Sequence, residues 1–138
     1  MKETRAFLIF VAMALGGQGL AFGDAIFVQD ARIARTIEAR KAVSTGSVFS
    51  PDIGGLFFWT QIKSAQAPIT LTHRWYWSGK AVAEVKLEIR ANTWRTWSRK
   101  TILPHQLGDW RATVEDAEGK VLAEASFQIK PEAASGAP

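Results

Sequence analysis

The chain has 138 residues, 47% of them hydrophobic and 22% charged, with a formal net charge of +4. That length suits one domain, and the composition excludes a wholly disordered chain. No cysteine is present, which excludes disulfides, thiolate metal sites and a thiol nucleophile.

The first segment, MKETR, carries Lys2 and Arg5 and precedes the apolar run AFLIFVAMALGG and then QGLAFGDA. A charged start, a short apolar segment and small residues at a cleavage point form the order of a secretory signal peptide. Ala21 and Gly23 suit the −3 and −1 positions, so residues 1–23 are read as a signal peptide cleaved after Gly23. The alternative is a retained anchor, although Ala6 to Phe22 is near the short limit for a spanning helix and contains Gln18. Cleavage predicts a periplasmic or secreted protein, and retention an inner-membrane-anchored one. Without residues 1–23 the net charge falls to +3. That is compatible with an anionic envelope surface and too weak and dispersed to point to nucleic acid.

Residues 24–130 read as strands. ARIARTIEA places Ala31, Ile33, Ile37 and Ala39 on one parity, interrupted by Arg35, and also fits a helical period. GGLFFWTQI, after a Ser-Pro-Asp-Ile-Gly-Gly loop, is a short apolar strand. ITLTHRWYW sets Ile69, Leu71, His73, Trp75 and Trp77 on a core face, with Thr70, Thr72, Arg74, Tyr76 and, just beyond the stretch, Ser78 opposite. SGK is a tight turn into EVKLEI, where Val85, Leu87 and Ile89 alternate with Glu84, Lys86, Glu88 and Arg90. In TWRTWSRK, Trp94 and Trp97 differ in parity. Either a bulge lets both face inward, or Trp97 is exposed in a strip Arg95–Trp97–Arg99 that ends at Lys100.

ILPHQLGD is a loop with His105 at its surface. WRATVED places Trp110, Ala112 and Val114 inside, and LAEASFQI places Ala123, Ala125, Phe127 and Ile129 inside. DAEGK joins them as a hairpin in which Gly119 can take a positive φ. The tail, residues 131–138, has the small, polar composition of a disordered segment. About seven strands at this spacing predict an all-β fold: a single antiparallel β-sandwich, immunoglobulin-like in outline. No segment reads as a crossover helix, so a parallel sheet is not expected.

His73 lies on the core face and is read as a buried, hydrogen-bonded imidazole. The candidate binding face is the outward set Arg74, Tyr76, Arg95, Trp97 and Arg99, a basic and aromatic mixture suited to a protein hot spot, an anionic head group or a sugar. No serine sits in a nucleophile elbow. His73, His105 and Asp109 have no metal-ligand spacing, and there is no glycine-rich phosphate loop. No catalytic, metal or cofactor residue is therefore assigned. Paired carboxylates of a glycosidase can lie far apart in sequence, so an unrecognised enzyme site stays open.

The stretch HRWYWSGKAVAEVKLEIRANTWRTWSRKTI, followed by GDWRATVEDAEGKVLAEASFQI, resembles the bacterial domain-of-unknown-function family 2914. The matching residues are His73, Trp75, Gly79, Lys80, Trp94, Arg95, Ser98, Lys100, Gly108, Trp110, Gly119, Leu122 and Phe127, and the likeness runs from about Phe27 to Lys130. Trp97 and Arg99 depart from that pattern, which has smaller or polar residues there. The resemblance implies an envelope-associated β domain, often near a membrane segment, with no known activity, substrate or cofactor. The expected function is an exported, non-enzymatic binding or accessory domain that meets an envelope protein or membrane complex. A carbohydrate-binding module that stacks sugars on Tyr76 and Trp97 is the alternative.

Overall fold

The computed structural model of the protein describes residues 26–131. The expected signal peptide and residues 132–138 of the expected tail lie outside them. Nine strands follow in order: β1 (Ile26–Glu38), β2 (Lys41–Thr45), β3 (Val48–Phe49), β4 (Gly55–Ser64), β5 (Ile69–Trp77), β6 (Lys80–Ile89), β7 (Thr93–Thr101), β8 (Gly108–Glu115) and β9 (Val121–Ile129). They form two sheets, which we call A, in the order β2-β1-β4-β7, and B, in the order β3-β9-β8-β5-β6.

The fold is the expected β-sandwich. The orders β1-β4-β7 and β9-β8-β5-β6 correspond to the A-B-E and G-F-C-C′ neighbours of an immunoglobulin sandwich. Two corrections apply. β2 and β3 add to the seven strands read from the sequence, and β3 pairs parallel with β9 through Val48↔Gln128 and Phe49↔Ile129. Both strands are short, and the turn that creates β2 has no sequence signature. Ala39 and Arg40 take φ of 52° and 64°, a two-residue turn of the mirror type normally marked by Asn-Gly. The β5–β6 turn has the same form and does carry its marker, with Ser78 at 51° and Gly79 at 82°.

The core lies between the sheets. Leu56, Phe58 and Ile62 come from β4, Leu71 and Trp75 from β5, Trp110, Ala112 and Val114 from β8, and Phe127 and Ile129 from β9. Period-two alternation sends each set inward. Trp75 packs edge-on against Phe58 at 6.2 Å and against Phe127 at 6.2 Å. Trp110 stacks on Phe127 at 5.7 Å and on Trp77 at 6.1 Å. The two stacked indoles also hold the loop before β8, because Trp77 Nε1 donates to Leu107 O at 2.8 Å and Trp110 Nε1 to Gln106 O at 2.9 Å. His105 is exposed in that loop, edge-on to Trp77 at 5.9 Å.

Candidate functional site

His73 is completely buried and occupies the middle of a hydrogen-bonded chain across the sandwich. Its Nδ1 lies 2.8 Å from Ser98 Oγ and its Nε2 lies 3.1 Å from Thr60 Oγ1. Trp75 Nε1 donates to Ser98 Oγ at 3.1 Å, and Thr60 Oγ1 donates to Thr96 O at 3.2 Å. The two ends fix the proton positions. An indole N–H only donates, and the single hydroxyl proton of Thr60 is spent on a carbonyl. Ser98 therefore donates to Nδ1, and the imidazole is the Nε2–H tautomer that donates to Thr60.

The chain joins β5 of sheet B to β4 and β7 of sheet A, and no buried side-chain nitrogen or oxygen among the described residues lacks a partner. Burial pushes the imidazole from its ordinary 6.5 down to about 3, because a charged ring would lose its hydration. His73 and Ser98 are thus a neutral staple in the core, and with Trp75 they give the His-x-Trp pair and the serine of the motif a shared structural role.

The candidate face does not form one surface. Arg74 and Tyr76 stand on the outer face of sheet B, whereas Arg95, Trp97 and Arg99 stand on the outer face of sheet A. Parity gives inward or outward and carries no information about which sheet a strand joins. A sugar platform built from Tyr76 and Trp97 together is overturned for the same reason.

On sheet B the arginine of the candidate face is paired within the sheet. Arg74 pairs with Glu84 at 2.9 Å and with Glu115 at 3.2 Å. Glu115 also accepts from Thr113 Oγ1 at 2.9 Å and from the Tyr76 hydroxyl at 3.3 Å. Desolvation opposes the Arg74 charge, but the hydrogen bonds and charges of Glu115 and then Glu84 outweigh it and raise its pKa above the ordinary value. Arg111 lies 3.9 Å over the Tyr76 ring and pairs with Glu124 at 3.5 Å. This covers one face of Tyr76. Thr113 and Glu115, outward by parity, are consequently buried.

On sheet A, β7 pairs with β4 without a register shift from Gly55↔Thr101 to Lys63↔Thr93. The bulge alternative is overturned: Trp94, Thr96 and Ser98 face inward, and Trp97 is half-buried on the outer face. It sits across from Trp59, which is 5% exposed. Trp59 owes its burial to the β1–β2 hairpin. Trp59 pairs with Arg32, yet its Nε1 donates to Arg40 O at 3.0 Å. Eight residues of straight strand would carry Arg40 roughly 26 Å past Arg32, so the hairpin bends back over the sheet.

Its tip places the Arg40 guanidinium 6.0 Å from the Trp97 ring and the Arg40 carbonyl 3.4 Å from Arg95 Nη1. The Arg99 guanidinium lies over Gly55, where a Cβ would stand, and donates to Thr101 Oγ1 at 3.3 Å. Arg40 and Trp59 are members of this surface that the sequence reading missed. Trp59 lies in an apolar run whose faces were not separated, and Arg40 had no local signal.

The likenesses to known proteins follow the same division between fold and site. The fold defines a β-sandwich domain of immunoglobulin-like strand order. Residues 68–129 match the model of a family described as a protein of unknown function, DUF2914. The resemblance read from the motifs is borne out over this span, which holds the His73–Trp75–Ser98 staple and β7. No curated protein matches the chain in sequence.

Among solved structures, the Pseudomonas fluorescens alkylpurine DNA glycosylase AlkC bound to DNA containing an abasic site analog is similar, with a TM-score of 0.53 and 12% identity. The match covers 78% of this chain and 31% of the glycosylase. A selenomethionine-labelled β-glucosidase from Kluyveromyces marxianus matches with a TM-score of 0.46 and 5% identity, over 77% of this chain and 14% of that one. This chain therefore spans less than a third of the glycosylase, and the likeness to it is one of fold alone.

Proposed function

We propose that the protein is an exported, non-enzymatic binding domain of the bacterial cell envelope that docks onto a protein or membrane complex through the outer face of sheet A. The observation that carries this reading is the state of its guanidinium groups. Arg40, Arg95 and Arg99 surround half-buried Trp97, and no carboxylate among the described residues is within ion-pair distance of any of them. Arg74 and Arg111 on the opposite sheet are neutralised. Arginine and tryptophan dominate binding hot spots because each offers a large contact area with directed polar or π interactions. Export is supported by the charged, apolar and small-residue order of residues 1–23.

The test is co-purification of the tagged full-length protein from cross-linked native envelopes, beside a Trp97→Ala, Arg95→Glu double variant. The expected result is a defined protein that accompanies the parent and is lost from the variant. No stoichiometric protein in either sample would overturn protein docking and direct the search to lipids and glycans.

A further inference from the structure

The two sheets have four edges: β2 and β7 in sheet A, and β3 and β6 in sheet B. β2 and β3 are five and two residues long. β6 is longer, but its pairing with β5 shifts register between Trp75 and Tyr76, and its exposed side chains carry both signs of charge. Short length, bulges and mixed charge all blunt an edge against further pairing. β7 is nine residues long, has no proline and pairs with β4 without a shift.

The unpaired side of β7 belongs to particular residues. Ser64 N–H donates to Asn92 O, and Ile102 N–H donates to Gly54 O. Thr60 Oγ1 donates to Thr96 O. Even-numbered residues of this segment therefore turn their backbone groups toward β4. Successive residues of a strand alternate in this direction as they alternate in side-chain face. Thr93, Arg95, Trp97, Arg99 and Thr101 thus direct their amides and carbonyls to the open edge. The same residues carry the outward side chains, so the open-edge backbone and the unneutralised charge coincide from Thr93 to Arg99, while the Thr101 carbonyl accepts from Lys100 Nζ at 3.1 Å. A groove of about 290 Å³ lies beside them, lined in part by Arg40, Glu88, Arg90 and Trp94.

We propose that β7 is a strand-addition site whose occupant is an extended acidic segment of another protein. The strand reads TWRTWSRKT, with Arg95, Arg99 and Lys100 and no acidic residue. A second copy is the wrong occupant, because antiparallel β7–β7 pairing sets these cations against one another, and like charges opposite each other destabilise a pair. Carboxylates on alternate residues of an added strand would instead stand about 5 Å from Arg95 and Arg99, on the same face. Main-chain hydrogen bonds then supply affinity and the arginines supply selectivity. This inference rests on the sheet A reading above and adds to it the pairing of backbones.

The experiment titrates four probes onto the purified full-length chain. They are a peptide of about ten residues alternating glutamate and threonine, long enough to span β7 and at the upper end of ordinary strand lengths, the same peptide N-methylated on every second amide, a lysine–threonine counterpart, and phosphatidylglycerol vesicles. The acidic peptide is expected to bind and to slow amide exchange at Arg95, Trp97 and Arg99. N-methylation is expected to weaken it by at least about tenfold, through the loss of several main-chain hydrogen bonds. An Arg95→Glu, Arg99→Glu variant should lose the acidic peptide, and the methylated probe on the parent keeps the test independent of how that variant folds. Equal binding of the methylated and unmethylated peptides overturns strand addition and leaves the charged face standing. Equal binding of the lysine peptide overturns the acidic occupant. Vesicle binding without peptide binding overturns the proposal in favour of a lipid surface. No binding of any probe overturns the proposal too, while the envelope co-purification judges the face separately.

Discussion

Ser98 Oγ lies 2.8 Å from His73 Nδ1 and 3.1 Å from Trp75 Nε1, so one hydroxyl on β7 serves two rings of β5 across the sandwich. Ser98→Ala leaves both ring nitrogens buried without a partner. At 1–3 kcal/mol for each unsatisfied group, the expected loss is about 2–6 kcal/mol. Urea unfolding measures it as a lowered midpoint at unchanged slope. A loss below about 1 kcal/mol would mean that the hydroxyl is not the joint described here.

The same burial makes the fold sensitive to acid. His73 falls from 6.5 in the free side chain to about 3 in the folded protein. The unfolded chain binds a proton that the native one refuses, so this contribution to stability is complete above pH 6.5 and is lost as the pH drops toward 3. By pH 5 the loss is about 2 kcal/mol. Other groups titrate as well, so the informative quantity is the difference between the parent and His73→Gln in unfolding free energy at pH 8 and pH 5. The variant is less stable throughout but has the shallower dependence. Parallel slopes would refute the assignment.

Glu115 is 5% exposed and holds Arg74, Tyr76 and Thr113 together. Glu115→Ala is expected to cost about 2–3 kcal/mol, less than the 3–5 of a fully buried pair, because Arg74 keeps Glu84 and some water. Tyr76→Phe removes one long hydrogen bond and should cost less than about 1 kcal/mol. Thermal or urea unfolding of the two variants checks the order.

Ala39 and Arg40 hold positive φ angles without a glycine. Left-handed backbone costs an L-residue roughly 1 kcal/mol. Ala39→Gly should therefore be neutral or stabilising by up to about 1 kcal/mol, after the entropy that glycine adds to the unfolded chain. Proline at residue 39 cannot take that φ, so Ala39→Pro should release the hairpin and raise the solvent accessibility of Trp59. Tryptophan fluorescence quenching reads that change, and an unaltered quenching profile would count against the folded-back hairpin.

Gly55 has no room for a side chain without displacing the Arg99 guanidinium. The obstacle is the far end of a flexible side chain, so Gly55→Ala should cost little stability, below about 1 kcal/mol. It should nevertheless disturb the basic face, and the acidic peptide should bind this variant more weakly than the parent. Unchanged binding would mean that the seat of Arg99 does not matter to recognition.

Much of the fold was readable because alternation is a local property. His73 and Trp75 declare themselves buried through their neighbours Leu71 and Trp77, and the hairpin about Gly119 declares itself by composition. What escaped is non-local. The sequence of TWRTWSRK left open whether a bulge turns Trp97 inward; the unbroken pairing with β4 puts Arg95 and Trp97 on one face, and that this face lies opposite Arg74 depends on which sheet β7 joins. Thr113 and Glu115 alternate outward and are buried where Arg74 and Tyr76 of the adjacent strand β5 bond to Glu115, which in turn accepts from Thr113. The β1–β2 hairpin was missed because its turn uses Ala and Arg where Asn and Gly would be the signal. With it went Arg40, and the reason that Trp59 is covered.

The terminal strands β1 and β9 run in the same direction along the sandwich, one in each sheet. Ile26 pairs with Ser64 at one end, and Ile129 pairs with Gly108 at the other. The first residue of β1 and the last of β9 therefore lie at opposite poles. A pull between them acts lengthwise, loading β1 against β4 and β9 against β8 in shear. Many hydrogen bonds would have to give way together before either strand slides, whereas attachment at a single pole would peel them one pair after another. A sandwich wired in this way resists tension applied along its length, and stretching single molecules from Ile26 and Ile129 would show a high, abrupt rupture rather than a gradual extension.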